Sequence, residues 1–215
     1  MTDLLLPGFD ADEKSVRPSH LDRVVADSND RIPWLRARSR GITATDVAKL
    51  STPRSVEAAA REKWFGSRFS GNAYTEHGRD REPAIAQWVF DHHGIAPSSL
   101  LFHAERDRRH LATPDGLAVT DAGSVVLAEI KTTNKPWRSI PRHYLRQIWW
   151  QQYVLGAERT LFVWERHEGF VPVSEPESRW VDRDDDAIAV LVGLAADLIA
   201  TIDRLASRHT GAIGA

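Results

Sequence analysis

Apolar residues change their spacing along this chain, and the change separates helical from extended stretches. Thr43 or Thr45 starts a helix through Val47 and Leu50, Ser55 starts another through Trp64, and Asn72 opens a longer one reaching His92 before Gly94. Each begins on a side chain able to accept from the free backbone N–H groups of a first turn. The period then shortens to that of strands. RHLATPDGLAVT and SVVLAEIKTT are rich in branched residues, and Asp121, Ala122 and Gly123 form a three-residue loop between them, with glycine where the left-handed conformation is required. A hairpin is predicted. Tyr144 to Leu155 reads as a helix closed by Gly156, RTLFVWER as a buried strand, and FVPVSE as an edge strand, because Pro172 and Pro176 cannot donate to a ladder. Ile188, Leu191, Ala195, Leu198, Ile202 and Leu205 recur at helical spacing behind Asp184, Asp185 and Asp186, whose charges suit a helix N-terminus. Helices, hairpin, helix, strand, strand and helix make an α/β layered domain with a short mixed sheet.

No repeat, low-complexity tract or long linker interrupts the 215 residues, so a single domain is expected over 31–210, preceded by a polar, acidic arm over 1–30. The most apolar run, 187–202, is broken by Gly193 and Asp197, short of the roughly 18 uncharged residues of a membrane span. The start MTDLLLPGFDADEK lacks the basic opening of a signal peptide, which places the protein in the cytoplasm. The absence of cysteine excludes disulfides, thiolate zinc sites, iron–sulfur clusters and cysteine nucleophiles. Oxygen and imidazole ligands remain, favouring a hard cation. The balance of 28 basic and 30 acidic residues hides a segregation: 20 against 13 over residues 31–160, but 3 against 7 before them and 5 against 10 after. A basic centre with acidic flanks fits either a phosphate-binding groove or a mixed solvated surface.

The hairpin carries the chemistry. With the loop centred on Ala122, residues equidistant from it face one another, which sets Asp115 opposite Glu129 with Cβ atoms roughly 4.5 to 5.5 Å apart. Both carboxylates then reach one divalent ion. Lys131, two residues beyond Glu129, projects from the same face. The run Val125 to Ile130 is otherwise apolar, and ionisable groups on such a strand need compensation, which a bound cation supplies better than a lone ion pair. The competing reading is a surface hairpin with an ordinary Glu/Lys pair.

On the helix from Asn72, Gly78, Glu82, Ile85 and Val89 share one stripe. Glu82 is either a snorkelling or capping residue or a ligand looking inward, and Gly78 one turn earlier lets that helix come close. Gln147 and Gln151, beside Trp150 and Tyr153, mark either a core face with satisfied amides or a wall that contacts substrate. Trp137, in the loop after the strand of Glu129 and Lys131, either stacks on a splayed base, should the ligand be a nucleic acid, or anchors that loop to the core. His92 and His93 read as capping or surface residues.

Five pieces in order resemble the phage lambda exonuclease and YqaJ-type viral recombinase family, within the PD-(D/E)xK nuclease superfamily. They are Trp34 and Arg38 followed by Ile42-Thr43-Ala44-Thr45-Asp46; Gly78-Arg-Asp-Arg-Glu82; Thr113-Pro114-Asp115-Gly116-Leu117; Glu129-Ile130-Lys131; and Gln147 in the helix before Gly156. The resemblance implies a restriction-endonuclease-like core, a short mixed sheet flanked by helices on both faces. It implies a metal-dependent exonuclease degrading one strand of duplex DNA from its 5′ end and leaving 3′ overhangs for phage-type recombination. Asp115 and Glu129 would bind metal, Lys131 would be the catalytic lysine, Glu82 an additional acid, Gln147 a positioning residue, and Arg38 the contact to the terminal phosphate. The family also implies a single-strand annealing protein as partner, a ring-shaped trimer, and a phage or prophage origin in a bacterial host. Two departures stand out: a Gly-Gly-Ser stretch of many relatives is Thr43-Ala44-Thr45 here, and the late Gln-x-Gln is Gln147-Ile148-Trp149.

Two magnesium or manganese ions with oxygen ligands suit phosphodiester hydrolysis, and the Ile130 carbonyl joins Asp115, Glu129 and Glu82 as a candidate ligand. Lys131 orients the attacking water; it acts as a base only if its pKa is lowered. Thr43 and Thr45 at a helix start, with Arg38 upstream, form either a 5′-phosphate pocket or a plain N-cap. The rivals on these residues are an endonuclease of repair or restriction type and a DNA-end binding module whose catalytic site has decayed.

Overall fold

The computed structural model describes residues 19–66 and 72–213. Its strands are β1 (Val24–Asp27), β2 (Ile42–Thr43), β3 (Ala96–Pro97), β4 (Leu100–His103), β5 (His110–Ala112), β6 (Gly116–Val119), β7 (Val125–Thr133), β8 (Arg159–Glu168), β9 (Val171–Pro172) and β10 (Glu177–Asp182). Its helices are α1 (Arg31–Ser39), α2 (Ala44–Ala48), α3 (Pro53–Phe65), α4 (Ala73–His93), α5 (Arg142–Leu155) and α6 (Asp185–Ile213). The main sheet runs β10-β8-β7-β6-β3 with β9 on β8, and a smaller sheet runs β1-β4-β5-β2. In the main sheet β7 and β8 are parallel and the other pairs antiparallel, so it is mixed as expected.

The hairpin register follows from its loop. Gly123 takes a positive φ of 82°, and Gly116 pairs with Ala128, Leu117 with Leu127 and Val119 with Val125, each pair equidistant from Ala122. The run RHLATPDGLAVT is not one strand, however. Pro114 has no N–H to continue a ladder, and the chain changes sheets there, leaving β5 in the small sheet and β6 in the main one. Asp115 sits at this junction, its N–H still donating to the Ala128 carbonyl at 3.2 Å. FVPVSE likewise yields only the two residues of β9, and the edge strand is β10, beyond Pro176.

Side chains alternate along β7, and the two faces meet different helices. Val126, Ala128 and Ile130 pack with Leu161 and Val163 against Ile85, Ala86 and Val89 of α4. Leu127 faces the other way, into a core with Trp150 and Val154 of α5, Val47 of α2, Ala60 of α3 and Leu198 of α6. Burying each large apolar side chain contributes roughly 1.5–3 kcal/mol, so helices are held on both faces. Starts follow the capping rule with one shift: Thr52, not Ser55, caps α3, Pro53 takes its first turn, and Ser55 completes a capping box.

Residues 19–30, read from composition as part of an arm, enter the fold, while 1–18 lie outside the described residues. A short 3-10 helix covers Ser19–Arg23, and β1 pairs with β4. The Arg23 guanidinium donates to the carbonyls of His103, Val154 and Leu155, the last two at the C-terminal end of α5. Among the described residues no helix is long and apolar enough to cross a membrane.

Candidate active site

Glu129 stands within β7 and is 1% exposed. Its Oε2 accepts from the Gln151 amide at 2.6 Å, and its Oε1 accepts from both the Gln147 amide and the Lys131 ammonium. Gln147 and Gln151 lie one turn apart on α5, so both amides reach one carboxylate. Of the two readings, the core face with satisfied amides is the one seen, and what satisfies the amides is the Glu129 carboxylate. Sequence reasoning paired Gln151 with Gln147 but assigned a role at the site to Gln147 alone. Where a Gln-x-Gln is missing, Gln-x-x-x-Gln supplies the second amide, and that helical spacing was the available signal.

Asp115 is tied to the opposite strand, its Oδ2 accepting from the Ile130 N–H at 2.7 Å and lying 4.0 Å from Lys131 Nζ. Lys131 also donates to the Ile130 carbonyl at 2.9 Å and stands 5.6 Å from the Tyr144 ring centre. Burial and the Glu129 charge raise Asp115 well above the usual carboxylate range, with Lys131 offsetting part of this. Burial opposes the ammonium on Lys131, but Glu129 and Asp115 outweigh it and hold its pKa above that of a free lysine. In this arrangement Lys131 stands as a cation paired with Glu129.

Glu82 lines a cavity of about 460 Å³ with Gly78, Ile130, Lys131, Thr132 and Tyr144. A Cβ on Gly78 would lie 3.0 Å from Thr132 Oγ1, so glycine is what lets α4 come this close to β7. Burial first, and then Glu129, raise the Glu82 carboxyl, against the pull of Lys131 and Arg79. The structure thus brings Glu82, Asp115, Glu129 and Lys131 into one electrostatic site. Among the described residues, though, no three acidic or imidazole groups take metal-ligand spacing. The sharing of one ion expected of Asp115 and Glu129 is not drawn in this arrangement, because Glu129 is held by two amides and the ammonium, and Asp115 by the Ile130 N–H. The donor chemistry nevertheless fits a hard cation: the groups are oxygens, and burial, with the Glu129 charge adding to it, raises both Glu82 and Asp115 beside a single ammonium.

The second candidate group is divided. Arg38 lies 4.4 Å over the Trp34 ring, and Trp34 Nε1 donates to Thr113 Oγ1 at 3.4 Å, two residues before Asp115. Burial lowers the Arg38 pKa, with Asp46 opposing. Thr43 is 3% exposed and belongs to a capping box: its hydroxyl donates to Asp46 Oδ2 at 2.8 Å and accepts from the Asp46 N–H. That hydroxyl has no donor left for a phosphate. Thr45 is exposed in the first turn of α2. Trp137 packs 5.4 Å from Tyr144 and 5.9 Å from Phe162, anchoring its loop, and His92 bonds back to the Trp88 carbonyl at 2.8 Å as a helix-end residue.

One polar chain had no sequence signal, since its members lie 84 and 90 positions apart. Arg81 donates to both oxygens of Glu165 at 2.9 and 2.8 Å, His167 Nε2 donates to Glu165 at 2.5 Å, and His77 bonds to His167 Nδ1. Burial opposes the charge on Glu165, but Arg81 and His167 outweigh it and hold the carboxyl below its usual range. The network fixes α4 to β8 beside the site.

A mixed sheet between helices, with Asp and Glu-x-Lys on its central hairpin, defines the restriction-endonuclease-like core of the PD-(D/E)xK nuclease superfamily. The model of the YqaJ-like viral recombinase domain matches residues 33–158, and the chain belongs to that family. Among solved structures it is similar to an alkaline exonuclease from Laribacter hongkongensis, with a TM-score of 0.67 and 22% identity over 85% of this chain and 98% of that one. The same enzyme in complex with dAMP gives 0.63 and 24%, over 83% and 97%. A phage-related exonuclease from Haemophilus somnus 129PT gives 0.57 and 13%, over 90% and 96%. These likenesses show a shared fold. No curated protein matches the chain in sequence.

Proposed function

We propose that the protein is a metal-dependent nuclease that degrades one strand of duplex DNA from a 5′ end and leaves 3′ single-stranded overhangs for recombination. The observation that carries this reading is the convergence on one lysine: Asp115, tied to β7 through the Ile130 N–H, and Glu129 both present carboxylate oxygens to the Lys131 ammonium. Family membership and the exonuclease activity named for the structural neighbours support it.

Asp115, Glu129, the Ile130 carbonyl and Glu82 are the groups that would hold magnesium or manganese, one ion or two. Bound there, a divalent cation supplies Lewis acidity toward the scissile phosphate and acidifies the attacking water. The chain's own residues do the rest. Gln147 and Gln151 fix the direction in which Glu129 presents its oxygens. Lys131, held by the Glu129 carboxylate and the Ile130 carbonyl with Asp115 at ion-pair distance, orients the water and stabilises charge developing on the phosphate oxygens. Arg38, beside the Asp115 turn, is placed to receive a terminal 5′ phosphate by a bidentate contact. A single-strand annealing protein is the partner this activity calls for, and a ring of subunits would keep the enzyme on its duplex.

The test is digestion of linear duplex DNA labelled at one 5′ end, with and without a 5′ phosphate, in magnesium and in EDTA, beside a closed circular control. Metal-dependent release of 5′ mononucleotides from the linear substrate alone is expected. Nicking of the circle would make the protein an endonuclease, and binding without cleavage would make it a decayed end-binding module.

A further inference from the structure

Beside the acids lies a second cavity, of about 590 Å³, whose walls include Tyr74, His77, Trp137, Tyr144 and Phe170. It adjoins the cavity holding Glu82 and Lys131, and Tyr74, Thr132 and Tyr144 line both. Its walls are aromatic in two groups. Phe170 lies 5.0 Å from Tyr74 and 5.2 Å from His77 on one side, and Trp137 lies 5.4 Å from Tyr144 on the other. Thr133, Asn134 and Lys135 give it a polar rim.

Phe170 has a backbone that core packing does not account for. It forms the turn between β8 and β9 with Gly169, and both take positive φ, 56° and 68°. That is glycine or asparagine geometry, in which a bulky residue is strained. The ring so placed is not buried: Phe170 is 43% and Tyr74 is 59% exposed. A strained residue that holds an aromatic face open to a cleft points to a flat ligand. The wall is also rigid, because the His77–His167–Glu165–Arg81 chain locks α4 to β8 directly beneath it.

We propose that this cavity receives an unpaired nucleobase of the strand whose phosphodiester lies at Asp115, Glu129 and Lys131, stacked against the Phe170 ring. The occupant follows from adjacency to the cleft of the acids, from the aromatic walls, and from a rim whose Asn134 and Lys135 offer amide and ammonium groups to base edges and phosphate. Stacking of this kind tolerates every base, because each has a π-face. The inference rests on the nuclease reading of the neighbouring acids.

The experiment uses linear duplexes carrying 2-aminopurine at successive positions from the 5′ end, with calcium in place of magnesium, on the full chain and on Phe170→Gly. Quenching of the fluorophore on binding is expected at one or two positions near the end. In Phe170→Gly the quench should vanish and the dissociation constant for the duplex should rise roughly tenfold, the scale of one stacked base. Thermal melting should be unchanged or higher in the variant, since glycine relieves the positive φ, which separates a lost contact from a lost fold. DNA binding with the same quench in Phe170→Gly would overturn the base pocket and leave the nuclease reading standing. Absence of DNA binding by the wild-type chain would overturn both.

Discussion

Gln151 and Glu129 share a hydrogen bond of 2.6 Å at a point where each is only 1% exposed. A buried carboxylate stripped of a donor retains its desolvation cost, about 1–3 kcal/mol and more for a charged group. Gln151→Ala should therefore lower unfolding stability by about 2 kcal/mol in urea titrations and slow cleavage at least about tenfold. A variant with wild-type stability would show that the amide does not support Glu129.

Lys131→Ala should abolish most cleavage, by roughly a hundredfold or more, while duplex binding is kept. Glu129→Ala should lose cleavage together with tight binding of Mn²⁺, read by calorimetric titration. Wild-type activity in either variant would remove the hairpin from the site.

The two halves of the phosphate group separate by mutation. Thr43→Ala removes a helix cap and should cost about 1 kcal/mol of stability without altering preference for 5′-phosphorylated ends. Arg38→Ala should erase that preference with little loss of stability. Competition between phosphorylated and unphosphorylated duplexes reads the first effect and denaturation the second, and the opposite pattern would return the pocket to Thr43.

The hairpin proposed to carry catalysis was legible because it is local. A three-residue loop with its glycine fixes the register of Gly116 to Val119 against Val125 to Ala128, so Glu129 and Lys131 could be placed on one face by counting, while Asp115 lies just outside that ladder and is tied to the Ile130 N–H. The break between β5 and β6 was less visible, although Pro114 signals it, because both halves carry the same branched residues. Strands of two to four residues such as β1, β2 and β3 are too short for any period to show. Glu165, His167, His77 and Arg81 meet only through tertiary packing, and no spacing announces them. Gln151 falls between: its distance from Gln147 showed a shared face but not the carboxylate it meets.

His110, 4% exposed, carries a pKa lowered by burial, with Asp107 opposing that shift and Arg109 adding to it. A depressed imidazole pKa means that the unfolded chain takes up the proton first, so the stability tied to neutral His110 is complete above the usual histidine range and declines below it. In His110→Gln that decline is absent. The difference in unfolding free energy between variant and wild type should move in the variant's favour as pH falls from about 7 to about 5. A difference independent of pH would show that His110 titrates alike in both states.

Arg23 holds the final carbonyls of α5, the helix whose two glutamines grip Glu129. A segment remote in sequence from the β6–β7 hairpin is thus mechanically upstream of it. Shortening the chain past residue 23 for expression or crystallisation would take away a clamp from the helix that aims the active-site acid, so an inactive truncation would say nothing about whether the hairpin itself can cut.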